Sequence, residues 1–390
     1  MRAAGGIIAV SLLLGACSQK SAPLEGERVS VFQSAGASAK AGEIKLGDTG
    51  GPLAWRRKWR TRIGSAPEGR VLAWPPVVAE GKVFAIDGDL RVSALDITTG
   101  ERLWRNGDLR SNADISFGDV AFGGGGVYAA SDSGEVARIN PATGKTEWKR
   151  KLDITLKSGI SYCGGRVAIV SDENQLIALD AATGETSFSH RSMNEPFMFI
   201  TGARPLCDNG TIIAGFSNGE LHALRADSGK PVYMKSLGSI KAGESATLLN
   251  IVARPALAFG GVAAKTLGTG VFLIGADGAQ KWRAAGGGAA TPAVSGNALF
   301  DVSDRVARAL SSSGGEAWSQ KSKLEGRIFA PMLAGGELIL AGEEGEIEAY
   351  DAASGSLLRA ESPLSGIASD PVRVEGGAIF QNGGSLFFFE

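Results

Sequence analysis

Histidine is nearly absent from this 390-residue chain and cysteine is scarce: there are two histidines, His190 and His222, and three cysteines, Cys17, Cys163 and Cys207. The histidines stand far apart in sequence with no acidic or cysteine residue at ligand spacing, so neither a metal centre nor histidine-based catalysis is expected, and both read as structural. No apolar run approaches the roughly 20 residues of a membrane-spanning helix; the amino-terminal segment 7–14 is too short. Excess charge is also missing, with 40 Lys and Arg against 41 Asp and Glu for a net charge of -1, which excludes general affinity for nucleic acid or anionic lipid.

Glycine, by contrast, is abundant at 56 residues, about twice the usual fraction, as a turn-dense β protein requires. Many of these glycines belong to one recurring motif. Residues 96–104 read DITTGERLW and return as NPATGKTEW at 140–148, DAATGETSF at 180–188 and RADSGKPVY at 225–233. Shortened copies end at Trp282 and Trp318, and DAASGSLLR closes the series at 351–359. The motif glycines lie at 100, 144, 184, 229, 278, 314 and 355, so the period is near forty residues, the signature of a stacked array. In the first unit, strands are expected at 71–78, 82–86, 92–95 and 101–105, separated by turn signals such as Glu80-Gly81 and Asp87-Gly88. Four short antiparallel strands per repeat of this length make a propeller blade.

The motif has a mechanical reading. Asp96 accepts hydrogen bonds from the turn backbone, Gly100 takes a positive φ, and the turn aims an aromatic residue at the neighbouring blade. Trp104, Trp148, Trp282 and Trp318 are therefore expected to dock between blades. Trp55, with the same Gly-to-Trp spacing after Gly51, is expected to do so from a lone outer strand. Residues 370–390 supply three strands and stop, and that lone strand completes them. The fold expected is thus all-β, an eight-bladed propeller over residues 51–390 whose last blade is closed by both chain ends.

Ahead of it, residues 1–16 form a basic-then-apolar secretory leader ending in Leu14-Gly15-Ala16-Cys17, which resembles a bacterial lipobox. That resemblance implies cleavage before Cys17 and its acylation, and Ser18 after it implies the outer membrane. Residues 17–50 read as a flexible tether. Cys163 and Cys207 fall at equivalent strand ends of blades three and four, positions usually too far apart to bridge, so buried free thiols are expected.

Other strings carry less. Gly215-Phe216-Ser217-Asn218-Gly219 matches a nucleophile elbow but lies where a blade needs a hairpin turn rather than a strand-to-helix turn. Glycines 123–126 likewise form a hairpin. The acidic group Glu343, Glu344, Glu346 and Glu348 and the basic run from Arg56 to Arg62 read as surface charge, either of which would also suit a partner. More distinctive are the long connections before blades four and five, with Phe197, Met198, Phe199 and Ile200 in the first and residues 246–251 (ATLLNI) in the second. Such apolar loops either form an exposed interaction patch or fold back into the blade core.

Repeats of the form ALDITTGERLW and ALDAATGETSF resemble quinoprotein-type propeller repeats. Joined to a lipobox, a short tether and eight blades closed by the chain ends, they make the whole chain similar to the BamB family of outer-membrane protein assembly lipoproteins. That resemblance implies a non-catalytic scaffold without cofactor in the BAM complex. It would be lipid-anchored at the periplasmic face of the outer membrane and would bind the periplasmic repeats of the BamA-like barrel-inserting subunit and assist nascent outer-membrane proteins. The family's contact loops correspond here to Phe197, Phe199 and Ile200 before Arg204-Pro205, and to Asn250 and Val252 before Arg254-Pro255. Better-known members carry Arg and Asp at several of these places, where this chain has apolar residues and Asn. The alternatives are a PQQ-dependent periplasmic dehydrogenase, for which this chain lacks the adjacent cysteine pair, and a propeller holding a small ligand in its channel.

Overall fold

A computed structural model describes residues 43–65, 74–109, 117–156, 158–193, 203–238 and 248–390. Every strand within them belongs to one of eight four-stranded antiparallel sheets, which form an eight-bladed β-propeller. Blade one consists of Val77–Ala79, Lys82–Ile86, Val92–Asp96 and Arg102–Asn106, close to the expected segments except that its innermost strand is short. Pro75 and Pro76 precede that strand, and proline has no N–H to offer a ladder. Blade eight takes Val372–Val374, Gly377–Gln381 and Ser385–Phe389 from the carboxyl end and its outermost strand, Arg57–Arg62, from the other end of the chain. Trp59 pairs with Phe388 and Thr61 with Leu386 across that closure.

The apolar residues do not gather into one core. Among the described residues they form eight clusters, each shared by two successive blades. Phe84 and Val92 of blade one meet Val120 and Val127 of blade two, and Ile379 and Leu386 of blade eight meet Val83 and Leu95 of blade one. Strand alternation is the cause: a blade's two faces are both covered by neighbours, so the middle strands are apolar throughout, as in VFLIG at Val271–Gly275, which is buried along its whole length.

The repeated turn welds these seams. The Asp96 carboxylate accepts hydrogen bonds from the N–H groups of Thr98 and Thr99 at 2.9 and 2.8 Å and from the Thr99 hydroxyl, while the Gly100 N–H donates to the Asp96 carbonyl at 2.8 Å. Gly144, at φ 71°, occupies the same place in blade two, where the indole of Trp104 lies on it so closely that an added Cβ would sit 2.7 Å from the ring. The Trp104 Nε1–H donates to the Pro141 carbonyl of that same turn at 2.9 Å. Trp148, Trp282 and Trp318 repeat this arrangement on the turns that follow them, donating to Ala181, Ser312 and Ala352. Phe188 and Tyr233 substitute in blades three and four, packing on Gly229 and Gly278.

Trp55 departs from the expectation. The outer-strand wedge of blade eight is Trp59, whose Nε1–H donates to the Ile97 carbonyl at 2.9 Å and whose ring covers Gly100. Trp55 lies just before the strand at φ 52° and packs against Phe380 and Phe389 with ring centroids 5.8 and 6.0 Å apart. The reason is topological. The fourth strand of blade eight, Arg57–Arg62, comes from a segment far from its third, so no hairpin joins them, blade seven has no motif turn to dock on, and its outer strand carries Leu357 and Leu358 instead of an aromatic. Trp55 and Leu53 supply the apolar contact on that seam from the other end of the chain. Residues 43–50, on the tether side of the expected boundary, run across blades six and seven, where the Lys45 N–H donates to Asn297 and the Gly336 N–H to Thr49.

The two cysteines are also corrected. Cys163 and Cys207 form a disulfide between the innermost strands of blades three and four. Innermost strands converge on the ring axis, and their Cα atoms are only 5.4 Å apart, inside bridging range.

Trp104→Ala is expected to cost about 3–5 kcal/mol, the range for a large aromatic removed from a packed site, read as a lower denaturation midpoint. Acid is expected to weaken the turns. Backbone hydrogen bonds from Thr99 and Thr183 hold Asp96 and Asp180 below the ordinary carboxylate value. Stability they contribute is present above that ordinary value and is lost as pH falls through their depressed values. Melting temperature should therefore drop below about pH 4, and less so in Asp96→Asn/Asp180→Asn, since Asn140 already serves blade two.

Candidate functional site

Because every blade runs outward in the same sense, the connections from one outermost strand to the next innermost strand all emerge on one face, with the hairpins joining second and third strands. The two apolar connections singled out in the sequence are both of this kind. Phe197, Phe199 and Ile200 lie outside the described residues. At the flanks, the Met193 side chain is 72% exposed and Leu248 is 44% exposed, so apolar surface does open on this face. Asn250 turns inward and is buried, with its side-chain NH2 lacking a partner among the described residues. Val252 is half-buried and faces the ring axis.

The first connection starts from a polar anchor. The Met193 carbonyl accepts from Asn174 Nδ2 at 2.9 Å and from Asn218 Nδ2 at 3.3 Å, and the Ser192 hydroxyl bonds Glu220. Asn218 also donates to Glu220 at 2.9 Å, and Ser217 Oγ donates to Asn174 Oδ1 at 2.8 Å. The elbow-like string is thus a hairpin turn, as expected, and its Ser217 ties blade four to blade three.

Behind this anchor the two histidines meet. His190 Nε2 is 2.9 Å from His222 Nδ1, and His222 Nε2 is 3.2 Å from Glu220 Oε2. The outermost strand of blade three and the third strand of blade four bring them together, and Glu220 shares a strand face with His222 through its i,i+2 spacing. That spacing was the available signal for the acidic partner that a search at helical or loop ligand spacing misses. With both rings neutral, a one-way chain satisfies every nitrogen in the contact: His190 Nε2–H donates to His222 Nδ1, and His222 Nε2–H donates to the carboxylate. Burial lowers the pKa of both histidines, against the pull of Glu220. Among the described residues, no group of three or more His, Cys, Asp or Glu is arranged to hold a metal ion.

At the axis the face opens into a cavity of about 180 Å³. Residues immediately before the innermost strands line it: Trp74, Arg204, Arg254, Thr291, Ala330 and Asp370, each followed by proline. This X-Pro recurrence was legible in the sequence but obscured by the stronger Gly-to-Trp motif. Proline confines the preceding residue to extended backbone, so each X side chain is presented at the same ring position. Arg204 is buried and its Nε donates to Asp119 Oδ2 at 2.9 Å, with Nη2 on the other oxygen. Asp119 also accepts from the N–H groups of Val120 and Ile160 at 2.7 and 2.8 Å. Burial pushes its carboxyl up, opposed by Arg204. The pair bridges blades two and four across the mouth. Elsewhere, Glu348 is buried beneath the acidic hairpin, accepting from Ser322 and Tyr350, so that group is not wholly surface charge.

The histidine pair sets a pH dependence. A histidine whose folded pKa is lowered favours the neutral folded state, so stability is full above the ordinary value near 6.5 and is lost as pH falls below it. Between pH 7 and 5, melting temperature should fall by about 2–4 °C, and His222→Gln should flatten that slope. An equal slope in the variant would remove the pair from the account.

The family model described as "Outer membrane protein assembly factor BamB" matches residues 17–119, 91–308 and 302–388. A protein of that name from Xanthomonas campestris pv. campestris is 30% identical over 338 residues, covering 83% of this chain and 82% of its own length. Among solved structures, BamB from Moraxella catarrhalis aligns with a TM-score of 0.75 at 15% identity, over 86% of this chain and 99% of that one. Quinohemoprotein alcohol dehydrogenase from Comamonas testosteroni aligns with 0.66 at 14% identity, over 86% and 76%, which is a likeness of fold. On the family match along almost its whole length, the chain belongs to the BamB family of outer-membrane protein assembly factors.

Proposed function

We propose that this protein is a non-catalytic accessory subunit of the outer-membrane β-barrel assembly machinery. It binds the periplasmic repeats of the barrel-inserting subunit and assists nascent outer-membrane proteins at the periplasmic face, held there by lipid on Cys17. The observation that carries the reading is family membership over nearly the whole chain. The dehydrogenase alternative draws on shared fold alone.

Within this reading, the partner contact is assigned to the connections before blades four and five. Apolar Met193 and Leu248 stand exposed at their edges, and Phe197, Phe199 and Ile200 concentrate apolar character between the Ser192 anchor and Arg204. A few large apolar or aromatic side chains dominate the affinity of most interfaces. Val252 would contribute at the inner rim, and Asn250 would support the loop from beneath.

The test is an affinity purification of the full lipoprotein from detergent-solubilised membranes. The wild type should carry the barrel-inserting subunit with it. Phe197→Asp/Phe199→Asp should lose that partner by at least about tenfold, with a melting temperature within about 2 °C of wild type. Recovery of no outer-membrane barrel protein by the wild type would sink the proposal.

A further inference from the structure

The axial cavity holds more cationic side chains than its anions and hydrogen bonds account for. Three guanidinium groups, Arg204, Arg254 and Arg327, approach it, with the carboxyls of Asp370 and, behind Arg204, Asp119. Arg204 is committed to Asp119 through two of its nitrogens. Arg327 lies over the Phe329 ring at 5.0 Å and acts on Asp370, whose carboxyl also accepts the Ala330 N–H at 2.9 Å. Arg254 is different. Its backbone N–H donates to Thr291 Oγ1 at 3.1 Å, which fixes where its side chain starts, but its guanidinium makes no hydrogen bond or ion pair among the described residues.

An unmatched guanidinium on an open surface is ordinary, because water solvates it. Arg254 is exposed to solvent, but it lines the axial cavity beside Arg204, and burial and the Arg204 charge lower its pKa against the pull of Asp119. A fork of five N–H donors in such a place is matched by a planar oxyanion, which accepts two parallel bonds. The remaining walls select what that oxyanion is attached to. Trp74, whose ring stacks at 5.7 Å beneath Arg204, joins Pro75, Val252 and Ala289 in an apolar lining. At about 180 Å³ the space is comparable with the ~150 Å³ cavity known to accept a benzene ring.

We propose that the axial cavity is a binding site for a small carboxylate borne on a flat apolar group, with Arg254 clasping the carboxylate and Trp74 covering the apolar body. The assembly role shares only Val252 with this site, and the experiment below tests the site without it.

Purified full-length protein labelled with 15N-tryptophan tests it, the Trp74 indole N–H resonance being assigned with Trp74→Phe. Benzoate should move that resonance saturably, and benzamide, the uncharged analogue of the same shape, should bind at least about tenfold more weakly. Arg254→Gln should weaken benzoate by about tenfold or more, and Arg254→Lys by less, since it keeps charge without the fork. Both variants should melt with the wild type, because the guanidinium supports no other residue. Inorganic phosphate should bind more weakly than benzoate for want of an apolar body. Absence of any saturable shift, equal binding of benzamide, or undiminished binding in Arg254→Gln would overturn the proposal. Phosphate binding as tight as benzoate would overturn the assignment of an apolar-bodied ligand.

Discussion

The ring depends on one contact made repeatedly: an aromatic side chain on the outer strand of one blade pressed onto the turn glycine of the next. It works because three requirements meet in one hairpin. The turn needs a residue at positive φ, the incoming ring needs a surface without a Cβ, and an indole needs an acceptor for its N–H. Gly144 meets the first two for Trp104, and the Pro141 carbonyl in the same turn meets the third. With the cores divided among eight seams, no blade has a private interior, and each sheet is stable through what its neighbours cover.

Where blade eight joins two distant segments of the chain, this mechanism must fail, and the structure shows what replaces it. Blade eight lacks the hairpin that would carry a motif glycine, so the seam with blade seven is filled by Trp55 against Phe380 and Phe389. The terminal strands also lock together through charge, with Glu390 engaging both Arg56 and Lys58. The basic outer strand is therefore partly spent on closure. Arg60 lies over Phe387 at 5.2 Å, covering an aromatic rather than awaiting an acidic partner.

Blade number, strand order and the docking roles of Trp104, Trp148, Trp282 and Trp318 were legible in sequence because a local motif determines each of them. The roles of Trp55 and Trp59 were not, since the Gly-to-Trp spacing after Gly51 imitates the motif outside the hairpin that gives it meaning. The disulfide was missed for a different reason: equivalent residues on adjacent blades diverge with distance from the axis, and only innermost strands bring them to 5.4 Å. The histidine–glutamate chain required knowing that blades three and four abut through His190 and His222. The axial cavity required six blades at once, because its lining comes from the segments ahead of the innermost strands of blades one, four, five, six, seven and eight.

The Cys163–Cys207 bridge has a mechanical consequence. A closed ring under tension parts at its weakest joint, and among the described residues the other joints are held by packing, hydrogen bonds and ion pairs such as Lys265–Asp301 between blades five and six. The joint between blades three and four adds a side-chain covalent cross-link, so these two blades are the hardest pair to part. The connection that leaves the Ser192 anchor toward Arg204 joins those two blades, and a pull on it is passed to the ring without prying its own joint apart.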